Sequence, residues 1–139
     1  LCEAGLLPGT LRHNESRKFI CRNVLLKPVS RTAAVSAGCD TETPLVIPIA
    51  HGEGNYFIGD DGLKSLQDND QILFQYCDEQ GNVNAMSNPN GALLNIAGVC
   101  NEGKNVFGMM PHPERACSDD LANADGRAIL QGLAEQVLA

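Results

Sequence analysis

The run Leu45-Val46-Ile47-Pro48-Ile49-Ala50 constrains the fold more than any other stretch of this chain. Its apolar character reads as a short buried strand. Pro48 has no N–H to give to a ladder, so this strand sits at a sheet edge or carries a bulge. Residues 18–26 (KFICRNVLL) are rich in Ile, Val, Phe and Leu, and read as a strand. Gln71 to Cys77 alternates, with Ile72, Phe74 and Tyr76 on one face. Leu94 to Cys100 and Asn105 to Met110 read as two more strands, joined through Asn101-Glu102-Gly103-Lys104. Gln80-Gly81-Asn82 and Asn88-Pro89-Asn90-Gly91 are turn signals. Residues 30–44 are small and polar and read as loop, as does His51 to Tyr56, while Gly62 to Leu66 suits a short helix. A final helix starts after Asp125 as N-cap and runs to about Leu138, with Ile129, Leu130, Leu133 and Val137 as its apolar stripe. Strands in the middle and a closing helix suit a single α/β domain with some antiparallel strands.

Charge and composition exclude several classes. Ten Lys and Arg stand against 17 Asp and Glu, and no basic block occurs, so the footprint of a nucleic-acid binder is absent. No apolar run approaches the roughly 20 residues that a membrane-spanning helix needs. The first residues lack the positive-then-apolar pattern of a signal peptide. Six cysteines are scattered with no C-x-x-C pair, which reads as free thiols in a reducing, cytoplasmic setting rather than a disulfide framework.

The first nine residues carry a boundary signal. Leu1 to Ala4 are helix formers, Gly5 is a good left-handed C-cap, and Pro8 prevents the helix from resuming. Four residues cannot support a helix alone, because nucleation fixes several dihedrals for one hydrogen bond. The pattern reads as the end of a helix whose beginning precedes Leu1, and the sequence as a C-terminal fragment.

The residues best suited to chemistry are Pro111-His112-Pro113-Glu114. The prolines fix φ on both sides of His112, and Pro113 pushes His112 toward extended geometry. In an extended segment residues i and i+2 point the same way, about 6.5–7 Å apart along the backbone. Glu114 can then hold one imidazole nitrogen protonated and leave the other as an outward base, the orienting role acids play in triads. A solvated surface turn is the plain alternative. A second His-x-Glu, His51-Gly52-Glu53, raises a rival: a divalent metal held by His51, Glu53, His112 and Glu114. No cysteine looks like a nucleophile. Cys2 lies at a helix C-terminal end, Cys21 and Cys100 fall in apolar strands as small core residues, and Cys39 and Cys117 lie in loops with no glycine elbow.

Taken together, Leu1-Cys2-Glu3-Ala4-Gly5-Leu6-Leu7-Pro8-Gly9, Lys18-Phe19-Ile20-Cys21-Arg22, Pro48 to Tyr56, Asn88-Pro89-Asn90-Gly91, Asn95-Ile96-Ala97-Gly98 and Gly108 to Arg115 resemble the class I glutamine amidotransferases. Within that class they resemble the small glutaminase subunits of phosphoribosylformylglycinamidine synthase. The matches keep their order and span nearly the whole chain. The resemblance implies a flavodoxin-like α/β domain, of which residues 1–139 are the C-terminal portion. It also implies a Cys-His-Glu triad with His112 as base and Glu114 as its orienting acid. The family's Gly-x-Cys-Asn-Gly nucleophile elbow and first strands would precede Leu1, so this sequence alone is expected to be inactive. Such enzymes release ammonia from glutamine for a synthetase subunit, in some cases alongside a small accessory subunit. The resemblance implies no cofactor or metal in this chain, ATP and Mg belonging to the synthetase. A second reading keeps the chain as a non-catalytic module that only binds that partner.

Overall fold

A computed structural model describes residues 1–138. Among these residues there are seven strands and three α-helices: β1 (Thr10–Arg12), β2 (Ile20–Pro28), α1 (Ala34–Ala37), β3 (Leu45–His51), β4 (Asn55–Phe57), α2 (Asp60–Asp68), β5 (Ile72–Tyr76), β6 (Ile96–Cys100), β7 (Phe107–Met109) and α3 (Arg127–Leu138). Five strands form one sheet in the order β3-β2-β5-β6-β7, and β1 pairs with β4 in a separate ribbon. Every strand pair among the described residues is antiparallel.

Pro48 has the consequence its chemistry demands, because β3 is an edge strand. Val46 N–H donates to Asp125 Oδ2 at 2.8 Å and Val46 C=O accepts from Asn123 Nδ2 at 2.8 Å, so the main-chain groups of Val46 face away from β2. Pro48, two residues on, shares that orientation. Its absent N–H therefore falls on the free side, and its carbonyl there accepts from His112 N–H at 2.8 Å. Residues 112–125 cover an edge that would otherwise invite pairing with another chain.

Burial along β3 alternates, with Leu45, Ile47, Ile49 and His51 inward. His51 is thus the last residue of a strand and not the first of a loop, and Asn55–Phe57 after it form β4; both differ from the loop expected over 51–56. In β5, Leu73 and Phe74 are both fully buried, so elements cover both of its faces and the simple alternation is lost. Cys100 is buried as expected, whereas Cys21 is exposed because it lies where β2 runs beyond the core.

The helices also refine the sequence reading. α2 is longer than residues 62–66, with Asp60 and Asp61 in its first turn, where carboxylates favour the helix dipole. α1 arises within the stretch expected to be loop. It packs on α3 so closely that a Cβ on Gly132 would collide with the Ala34 carbonyl. Asp125 does not cap α3, since its carboxylate is engaged by Val46 and the helix starts two residues later. Ile129 is fully buried, but Val137 and Leu138 are exposed, so the stripe contributes little past Leu133. Gly5 adopts φ +70°, with Leu6 N–H on Leu1 O at 3.1 Å and Gly5 N–H on Cys2 O at 2.9 Å. These are the two bonds and the left-handed residue of a Schellman helix terminus.

Candidate functional site

β7 ends at Met109, Met110 N–H still donates to Ala97 O at 3.0 Å, and the chain then turns across the end of the sheet. His112 has φ −106° and ψ 87°, and Pro113–Arg115 form one 3-10 turn. The expected extended i, i+2 pairing is therefore replaced by a turn. That turn still brings the side chains together, with His112 Nδ1 2.8 Å from Glu114 Oε1. A carboxylate accepts only, so Nδ1 carries the proton and Nε2 is left as the basic nitrogen. The pair is partly open to solvent, the side chains being 32% and 58% exposed. Arg115 Nε lies 3.9 Å from the same carboxylate oxygen. Gly126 lets the chain close behind the turn, its N–H reaching Ala116 O at 2.6 Å and its Cα lying against Pro113.

His51 and Glu53 do not join this pair. His51 points into the core at 6% exposure, and both ring nitrogens have partners: Nδ1 lies 3.0 Å from Asn14 Oδ1, and Nε2 lies 3.4 Å from Asn90 Nδ2. Glu53 is at the surface, 3.4 Å from His13 Nδ1. The four residues of the metal alternative therefore do not converge. Among the described residues no three His, Cys, Asp or Glu side chains form a cation cluster.

Behind the pair lies a buried polar network that the sequence did not reveal. Asn14 Nδ2 donates to Lys18 O and His51 O, each at 2.8 Å, while its Oδ1 accepts from Gly54 N–H at 2.9 Å as well as from His51. Asn90 Nδ2 also donates to the Tyr76 hydroxyl at 3.2 Å, and Asn90 Oδ1 accepts from Ala92 N–H at 3.1 Å. Asn88 Oδ1 ties the turn by accepting from Gly91 N–H at 2.8 Å, where Gly91 takes φ +85°. Burial pushes the His51 pKa down, with the charge of His112 acting in the same direction. Burial likewise pushes up the Tyr76 hydroxyl. Asn14 carries no local signal, because its partners lie 37 and 40 positions away, and Asn90 shows in the sequence only as part of the Asn88-Pro89-Asn90-Gly91 turn.

Burial pushes Cys39 and Cys77 up to about 11 and raises Cys2 and Cys100. Cys117 Sγ donates to Glu114 O at 3.2 Å, and the side-chain partner of His112 is Glu114. An apolar recess of about 170 Å³ opens between Leu1, Leu7, Tyr56 and the β6–β7 strands, bounded by Met109 and Met110 just before the turn that carries His112. Among the described residues no helix is long and apolar enough to cross a membrane.

Comparison with known proteins gives this geometry a family. Residues 3–129 match the model of the CobB/CobQ-like glutamine amidotransferase domain. The chain is 48% identical over 133 residues to phosphoribosylformylglycinamidine synthase subunit PurQ of Chlorobium chlorochromatii, covering 96% of this chain and 57% of the relative. It is 49% identical over 133 residues to the PurQ subunit of Pelagibacter ubique, covering 96% and 58%. The solved structure of PurLQS from Thermotoga maritima superposes with a TM-score of 0.79 at 35% identity, over 99% of this chain and 57% of that one. The chain thus spans under two thirds of the length of these relatives. Its α/β fold is that of the flavodoxin-like class I amidotransferases, and the chain belongs to the CobB/CobQ-like glutamine amidotransferase family.

Proposed function

We propose that this chain forms the acid/base-bearing part of a PurQ-type glutaminase, one portion of a single amidotransferase domain. In that reading a cysteine outside these residues attacks the carboxamide carbon of glutamine. His112 Nε2 takes the thiol proton and delivers it to the departing ammonia, leaving a glutamyl thioester. Water, deprotonated by the same nitrogen, then releases glutamate and restores the thiol. Glu114 holds Nδ1–H throughout and stabilises the imidazolium between the two transfers. The observation that carries this is the 2.8 Å contact between His112 Nδ1 and Glu114 Oε1, which leaves Nε2 free as a base.

The names of the relatives extend the reading. Ammonia passes to a synthetase subunit that makes the amidine of formylglycinamide ribonucleotide in cytoplasmic purine synthesis, with a small accessory subunit as a further partner. ATP and Mg serve the synthetase, and this chain holds neither. In this reading residues 1–139 by themselves release no glutamate, because the nucleophile is a cysteine outside them; burial raises the thiols of Cys2, Cys39, Cys77 and Cys100, which suits core residues rather than nucleophiles.

The test is glutamate release by the complete subunit with its synthetase. His112→Ala should lower the rate about 10²–10⁴-fold, the usual worth of a general acid/base. An unchanged rate would remove His112 from the mechanism. Glutamate release by residues 1–139 alone, abolished by His112→Ala, would instead place the nucleophile among the six cysteines of this chain.

A further inference from the structure

The proposed glutaminase chemistry leaves the His51-Gly52-Glu53-Gly54 segment without a role, and its geometry supplies one. We infer that His51, held as its Nδ1–H tautomer between Asn14 and Asn90, is a positioning residue that fixes the end of β3 on which the His112 backbone is hung. This rests on the reading of His112 as the base.

The tautomer follows from hydrogen-bond chemistry. Asn14 Oδ1 can only accept, so His51 Nδ1 must donate to it at 3.0 Å. Asn90 Nδ2 can only donate, so His51 Nε2 must accept from it. Only the neutral ring with its proton on Nδ1 satisfies both. A second proton on Nε2 would face the Asn90 amide hydrogens. The ring also packs against Gly54, where a Cβ would fall among its atoms. These contacts join the β1–β2 loop, the Asn88–Gly91 turn and the end of β3 around one side chain.

Three residues before His51, the Pro48 carbonyl receives the His112 N–H. The β3 end is thus shared between the two histidines, one buried behind it and one hung on its free edge. Facing His51 are Asn14, Gly54, Asn90 and, behind Asn90, the Tyr76 hydroxyl, while His13 and Glu53 pair with each other at the surface. The charged group whose field reaches His51 is His112. A neutral His51 adds no positive charge beside His112 when the latter takes up a proton, which suits a base that must cycle through imidazolium.

Two measurements on the complete subunit with its synthetase test this. The first follows the histidine ring nitrogens by ¹⁵N NMR from pH 5.5 to 8. His51 should hold the Nδ1–H form at neutral pH and take up a second proton only below the usual histidine range. An Nε2–H form, or protonation of His51 within the usual histidine range, would overturn the inference without any variant being made. The second compares His51→Leu, which removes both ring bonds, with His51→Asn, whose amide can restore the donor to Asn14. Leu should lower kcat for glutamine hydrolysis at least about tenfold, as small misplacements of a catalytic group do, with KM within about twofold. Asn should recover most of that loss. Equal losses in both variants, or a change confined to KM, would reject the positioning role. His112→Ala is run alongside: if it retains activity, the glutaminase reading itself fails, whatever His51 does.

Discussion

Replacing Asn14 by Ala should be among the most damaging substitutions in this chain that touch no apolar group. Asn14 is 1% exposed, and its side chain uses both donor hydrogens and both acceptor directions. Truncation removes four hydrogen bonds. The one to Lys18 O is only partly buried, so water can replace it at little cost. The other three link groups inside the protein: His51 O, His51 Nδ1–H and Gly54 N–H. Each buried group left without a partner costs about 1–3 kcal/mol. Allowing for one water entering the space left by the amide, the net loss should be about 3–4 kcal/mol. That is a large share of the roughly 5–15 kcal/mol that holds a domain folded. Urea unfolding of the complete subunit, followed by far-UV circular dichroism, would read it as a lower midpoint at unchanged m-value. Asn69→Ala provides the reference, since Asn69 makes one exposed side-chain bond, to Ser65 Oγ, and should shift stability by less than about 0.5 kcal/mol. A loss below about 1 kcal/mol at Asn14 would refute the network's importance.

Other substitutions have equally direct readouts. Gly54→Ala should cost about 1–3 kcal/mol through collision with the His51 ring, whereas Gly52→Ala, whose nearest neighbour is Phe19 at 4.0 Å, should change stability by less than about 0.5 kcal/mol; equal effects in thermal melts would contradict the packing argument. Asp125→Ala should lose about 1–2 kcal/mol and expose the β3 edge, seen as faster hydrogen exchange at Val46 N–H, and unchanged exchange there would count against the contact. The pH dependence of stability has a defined sign at His51. Its folded pKa is depressed, so above the unfolded value of about 6.5 both states are neutral and the full stability is present. As pH falls below about 6.5 the unfolded chain binds the proton first, and stability declines until the folded pKa is passed. Denaturation midpoints measured between pH 7.5 and 5 should fall in the wild type and fall less in His51→Asn.

Much of this architecture was legible because certain residues forbid alternatives. Pro48 left its strand an edge position or a bulge, and β3 takes the edge. Gly5 signalled a helix terminus, and the two terminal bonds form around it. The errors have physical causes. His51 followed an apolar run and preceded two glycines, so it read as loop, yet the alternation of Ile47 and Ile49 simply continues through it. Asp125 had the chemistry of an N-cap, but its carboxylate serves any nearby N–H and the edge strand's is the one within reach. α1 is a four-residue helix made by close packing on Gly132, a long-range contact with no local signal. His112 and Glu114 were singled out by spacing, although the spacing works through a 3-10 turn.

The segment from His112 to Asp125 both presents the imidazole–carboxylate pair and seals the open side of β3. In the proposed glutaminase, chemistry and colloidal safety therefore share one latch. A stress that lifts this segment dismantles the His112–Glu114 geometry and, in the same motion, uncovers a strand edge that another molecule can pair with. If His112 is the base of the proposed glutaminase, the event that silences it also uncovers the edge, and loss of activity and loss of solubility should keep the same clock on heating.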